Sequence, residues 1–222
     1  MITGFAGLGW FWAELAPQRA GFQDTDDPAV SLQFLAAHPG SHAVAGLWLM
    51  VASLALIATV LAVSRRFDAD ASLGREYLRV LGILAGAMLF GMAVVRFGEG
   101  PIRYVQGLDQ TWGETAYLIT QFMGTQLLAI GGVLLLAAWI AATAWLGAPR
   151  GVVPRVLAVI AVFPAVRLLG VLGPFGGEFE GLWLLYTAAV PAAFIWLVLL
   201  GAWQLRRPMG SPAQAKVEPV PL

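Results

Sequence analysis

The chain contains no cysteine and no asparagine. The first absence removes disulfides, thiol redox chemistry, thiolate-bound metals and thioether-attached haem. The second removes any N-glycosylation acceptor. There are two histidines, His38 and His42, and one lysine, Lys216. Neither histidine lies in a long apolar run, which excludes a haem held by two histidines inside a bilayer. No lysine lies in one either, so a retinal Schiff base is excluded. Thirteen basic residues balance thirteen acidic ones, leaving no electrostatic footprint for nucleic acid. A Walker A motif, a serine-nucleophile motif and a metalloprotease HExxH are all missing. No cofactor is expected.

What the chain has instead is apolar sequence, 59% of its 222 residues. A soluble domain of this length cannot hide so much, because it needs a polar exterior. A spanning helix needs about 20 apolar residues to cross roughly 30 Å of hydrocarbon. Six runs meet or approach that length: 1–16, 43–64, 78–97, 116–146, 156–173 and 182–205. The first is short, covering only about 24 Å at ~1.5 Å per residue; it tilts little, thins the bilayer or continues past Pro17. The expected fold is all-α, a polytopic transmembrane bundle of six spans over residues 1–207. The tail 208–222 holds four prolines and few large apolar groups and is expected to be disordered. The N-terminus lacks the basic leading region of a signal peptide, and Glu14 stands where a cleavage region would begin, so the first run is expected to stay.

Arginine placement predicts the orientation. Arg65, Arg66, Arg75 and Arg79 flank the second connection, Arg150 and Arg155 the fourth, and Arg206, Arg207 and Lys216 follow the last run. These regions alternate correctly to share the cytoplasmic side, which makes both termini cytoplasmic if the first run spans, and puts the N-terminus outside if it does not. The opposite loops carry Asp24, Asp26, Asp27, Glu99, Asp109, Glu114, Glu178 and Glu180, with Arg19 and Arg103 as their few cations. Twelve arginines against one lysine is the bias of a GC-rich bacterial genome, so a bacterial inner membrane is expected. Asp27-Pro28 sets a capping residue before a proline, and Val30, Phe34 and Ala37 recur at near-helical spacing. This predicts a short amphipathic helix at 28–37 in the first outer loop.

The most informative constellation is a polar layer in the outer half of the runs. Glu14 lies near the end of the first, Arg96 of the third, Gln121, Thr125 and Gln126 in the fourth, and Arg167 in the fifth. A charge in hydrocarbon is costly, so these groups are expected to face the interior and pair, Glu14 with Arg96 or Arg167. Three readings stay open: a structural ion pair, a ligand or substrate site, and a proton or ion relay. His38 and His42 have the spacing of two metal ligands on a helix, but Pro39 and Gly40 interrupt it, and zinc needs three or four ligands.

Trp10, Trp12, Tyr104, Trp112, Tyr117, Trp183 and Tyr186 on one side, with Trp145 and Trp203 on the other, predict interfacial belts, or an aromatic cage. Pro164 and Pro191 are expected to interrupt the fifth and sixth helices. Gly82 and Gly86 form a small-xxx-small pair for packing within the chain or at a homodimer face.

The layout resembles an uncharacterised bacterial family of six-span proteins, the domain of unknown function 4386. The likeness rests on the acidic loop ending in Asp27-Pro28, on Gly147 to Val156 as a basic turn before the fifth helix, and on Trp196 and Gly201 in a late helix. The short first run, Arg96 and Arg167 depart from that pattern. The resemblance implies a membrane bundle and carries no activity. The expectation is a non-catalytic multi-pass protein with membrane lipids as partners, and an accessory subunit of a larger complex. The alternative is a small-molecule binder or transporter working through the polar layer.

Overall fold

The computed structural model describes residues 1–22, 27–38, 40, 42–67, 72–172 and 180–206. Every regular element among them is helical. In chain order they are α1 (Ile2–Arg19), α2 (Pro28–Ala37), α3 (Ala43–Ser64), α4 (Ser72–Val95), α5 (Glu99–Leu108) and α6 (Gln110–Gln121). A π-helix, Phe122–Ile130, leads into α7 (Gly131–Gly147). Then come α8 (Arg155–Ile160), α9 (Val162–Ala165), a 3₁₀ helix over Val166–Leu172, and α10 (Glu180–Arg206). Among the described residues, four stretches are long and apolar enough to cross a membrane: Ala43–Ser64, Leu73–Val95, Gln110–Gly147 and Thr187–Arg206. The chain is thus an all-helical bundle with the composition of a membrane protein. The tail 208–222, Asp24, Asp26, Pro39 and the side chains of Trp183 and Tyr186 fall outside the described residues.

The long helices close into a ring. α1 packs on α3 and α10, α4 on α3 and α7, and α8, α9 and the 3₁₀ helix join α7 back to α10. Small residues set the spacing. A Cβ at Gly7 would enter the Phe194 ring of α10, so α1 lies against α10 at near-contact distance. Gly82 and Gly86 are used inside the chain: a Cβ at Gly82 would meet Trp139 at 2.8 Å, and one at Gly86 would meet Ile57 at 2.6 Å. At the centre, Trp139 and Trp196 meet edge to face, with ring centroids 6.4 Å apart. Trp196 Nε1 donates to the Leu157 carbonyl at 2.8 Å.

α1 outruns its expected end. Pro17 lies inside the helix, which stops at Arg19. Gly21, with φ +96°, supplies the left-handed residue that ends it. Phe22 N–H bonds to the Pro17 carbonyl at 2.9 Å and Gly21 N–H to that of Gln18 at 3.1 Å. This double closure satisfies carbonyls that the helix end leaves open. Gly21→Ala is expected to cost about 1–2 kcal/mol, the penalty of a Cβ in that conformation. Chemical unfolding of the purified variant measures it, and an unchanged midpoint would show that the turn relaxes.

Two expectations change, and one holds. Pro191 does not interrupt the last helix: α10 runs through it from Glu180 to Arg206. Only the Thr187 carbonyl forfeits its donor there, and neighbouring helices hold the helix in place. Pro164 does break the fifth run. Its missing N–H forfeits the bond to the Ile160 carbonyl, the α-helix stops at Ala161, and the chain continues as α9 and the 3₁₀ turn. The helix at 28–37 forms, capped by Asp27, whose carboxylate accepts from Ala29 N–H at 2.9 Å. It is apolar on more than one side, however: Ser31, Leu32 and Leu35 are buried while Val30 is 44% exposed.

Candidate functional site

α2, α5 and α6 build a separate small core at one end of the ring. Leu32, Leu35, Ile102 and Tyr117 are buried together there. α5 had no counterpart in the sequence reading. It begins with Glu99-Gly100-Pro101 and stops at Asp109, whose extended backbone separates it from α6. The Asp109 carboxylate then accepts from Trp112 N–H at 3.0 Å and caps α6. Aromatic rings tie this lid to the ends of α1 and α3. Phe22 packs on Phe34, with centroids 5.1 Å apart, and edge-on to His42 at 5.5 Å.

Under the lid lies the polar layer. Glu14 comes from the C-terminal part of α1, and Arg96 follows the last residue of α4. Arg96 Nη2 donates to Glu14 Oε2 at 3.0 Å. Arg96 Nε lies 3.0 Å from Glu14 Oε1, but its N–H is not aligned with that oxygen, so only one of the two close approaches is a directed hydrogen bond. Trp10 Nε1 donates to the same Oε1 at 3.1 Å. The side chains are 14% exposed for Arg96 and 21% for Glu14. Gly46 of α3 makes room for the pair, since a Cβ there would stand 2.9 Å from the Arg96 Cβ. The arginine also sits where α4 presents its negative dipole end, a second favourable field.

A cavity of about 20 Å³ adjoins Arg96, walled also by Leu35, His42, Ile102, Tyr117, Thr120 and Gln121. A space of this size holds about one water. The Arg96 Nε–H is a buried donor beside it. Gln121 Nε2 donates to Tyr117 Oη at 2.9 Å, and the Thr120 hydroxyl is occupied by the Ala116 carbonyl at 2.7 Å.

The remaining residues of the expected layer divide. Thr125 and Gln126 stand in the π-helix that follows Gln121, and their side chains are outside the described residues. Arg167 is half-buried on the 3₁₀ helix, which packs on α7 and α10; it is not a wall of the small cavity. The pair formed is Glu14 with Arg96.

The histidines separate too. His38 is exposed and stacks on Phe34 at 4.3 Å, while His42 is buried at 6% exposure. No group of three histidine or carboxylate side chains clusters among the described residues.

Two aromatic residues of the expected belt are interior. Trp10, 6% exposed, meets Phe194 edge to face, and Tyr117 is equally buried. Trp12, Tyr104, Trp112 and Trp145 are exposed, as a belt requires. The roles of Trp10 and Tyr117 had a visible signal. Each is four residues before its partner, Glu14 or Gln121, and such pairs share a helix face. His42 had none.

Compared with protein-family models, with curated proteins and with solved structures, the chain matches none.

Proposed function

We propose that the chain is a non-catalytic, six-span protein of a bacterial inner membrane, in which the polar layer is a structural lock. The observation that carries this reading is the closed Glu14–Arg96 pair beside a cavity of only about 20 Å³. A solute site needs several hundred Å³, and a hydrated ion also exceeds one water. The carboxylate is engaged by both Arg96 and Trp10, so it is poorly placed as a base or relay. The pair links the first helix to the fourth, elements 82 residues apart in sequence. That is the role of a device that sets helix register, an accessory function that an apolar contact performs less specifically.

The lock is tested by replacing both partners, Glu14→Leu with Arg96→Met. Apolar replacement of a whole buried pair is often neutral or stabilising. The double variant is therefore expected to insert and to unfold within about 1 kcal/mol of the native chain. A small molecule released on denaturing the native protein, and missing from the double variant, would instead make the layer a ligand site.

The six spans comprise α1, α3, α4, the continuous α6–α7, the broken α8–α9 segment and α10. The arginine ends lie in the cytoplasm by the positive-inside rule. The absence of native cysteine makes this easy to check. Leu73, 88% exposed at the arginine end of α4, and Gln110, exposed at the start of α6, are the reporters. Gln110→Cys should react with a membrane-impermeant maleimide in intact spheroplasts, and Leu73→Cys only after lysis. The opposite pattern reverses the orientation.

A further inference from the structure

At the end of the ring away from the polar layer, a groove of about 870 Å³ opens between the first turn of α1 and the last turns of α3 and α10. Ala55, Ala58 and Ala62 form one wall, and Leu200 and Leu205 another. Its hydroxyls are already satisfied. Thr3 and Thr59 share a hydrogen bond of 2.8 Å, and Thr59 also donates to the Ala55 carbonyl at 2.8 Å. Gln204 Nε2 is spent on the Val152 carbonyl at 3.1 Å. Apart from the Met1 amine, which packs against Gly201, the interior therefore asks for hydrocarbon.

The rim is different. Arg66 lines the mouth and is exposed, and Arg65 and Arg206 are its exposed neighbours at the same helix ends. No carboxylate lines the groove, and none pairs with Arg65 or Arg66 among the described residues. α3 and the Thr187–Arg206 part of α10 are apolar enough to cross a membrane, so their arginine-bearing ends belong at headgroup depth. An apolar slot below a cationic rim is complementary to one acyl chain below an anionic headgroup. The groove's volume lies in the range of sites that enclose a ligand, above that of a shallow surface dent.

We propose that this groove is a binding site for one anionic phospholipid of the arginine-side leaflet, with an acyl chain against Ala55, Ala58 and Leu200 and the phosphate on Arg66. Small alanines on α3 leave the volume that the chain fills. A cation at an anionic lipid surface contributes about 1 kcal/mol, roughly fivefold in affinity. This site is independent of the Glu14–Arg96 lock, which lies at the other end of the ring.

Native mass spectrometry of the purified full chain tests it, using phosphatidylglycerol and phosphatidylcholine with identical acyl chains. One phosphatidylglycerol per chain should be retained in preference to phosphatidylcholine. Arg66→Gln should lose about fivefold of that preference, and Arg66→Lys should keep it. Ala58→Trp, on an exposed face of α3, should block retention of the single lipid by filling the slot. Retention of several lipids without headgroup preference, unchanged in Arg66→Gln, would mean annular lipid only and overturn the site. Retention of none by the full chain would overturn it as well. So would a disulfide forming readily between Ala58→Cys and Val217→Cys, because the tail would then occupy the groove.

Discussion

Arg96→Leu is expected to destabilise the protein by about 3 kcal/mol, the low end of the range for removing one partner of a buried pair. The physical reason is what stays behind. Glu14, 21% exposed, would be left in the bundle with only the Trp10 indole to hold it. That residual donor, and the partial exposure of both partners, place the effect at the low end. Glu14→Leu should cost a similar amount, because it strands a guanidinium. Unfolding in a mild detergent titrated with dodecyl sulfate gives both values. If each single variant loses less than about 0.5 kcal/mol, the pair is a surface contact and the lock fails.

Trp196→Ala should be equally damaging for a different reason. Trp196 is fully buried at 0% exposure and touches Trp139, itself 1% exposed. Deleting a buried tryptophan side chain costs roughly 3–5 kcal/mol in a water-soluble core. In a bilayer the transfer part shrinks, since lipid tails are as apolar as the core, and the lost packing remains. An effect of about 3 kcal/mol follows. The lost indole hydrogen bond adds little, because the Leu157 carbonyl keeps the Ala161 N–H at 3.0 Å. Trp196→Phe, which fills most of the space, should recover more than half of the loss. Thermal unfolding followed by tryptophan-independent light scattering separates the variants. Equal damage from both would give the indole N–H the larger role.

Much of the local structure was legible. The Asp27-Pro28 cap produced α2 at the expected residues because capping is decided within one turn. The long apolar runs became helices because a backbone at membrane depth must satisfy itself. α5 was missed because its segment is neither long nor continuously apolar. Its start, Glu99-Gly100-Pro101, and the Asp109 cap after it were available signals. Pro164 and Pro191 looked alike and behaved differently. Sequence shows that each removes a donor, and the packing around it decides whether the helix breaks.

The sequence by itself determined that this chain is helical and apolar enough for a bilayer, and that its charges gather mostly at helix ends. Those properties follow from composition, periodicity and the cost of burying a charge, which are local quantities. Only the tertiary structure decided which charge meets which. It set Glu14 against Arg96, and it turned His42 inward and His38 outward. Contacts between residues 82 positions apart depend on how closely helices approach. That approach is set by glycines such as Gly7 and Gly46 meeting particular side chains on other helices, which no single stretch of sequence encodes.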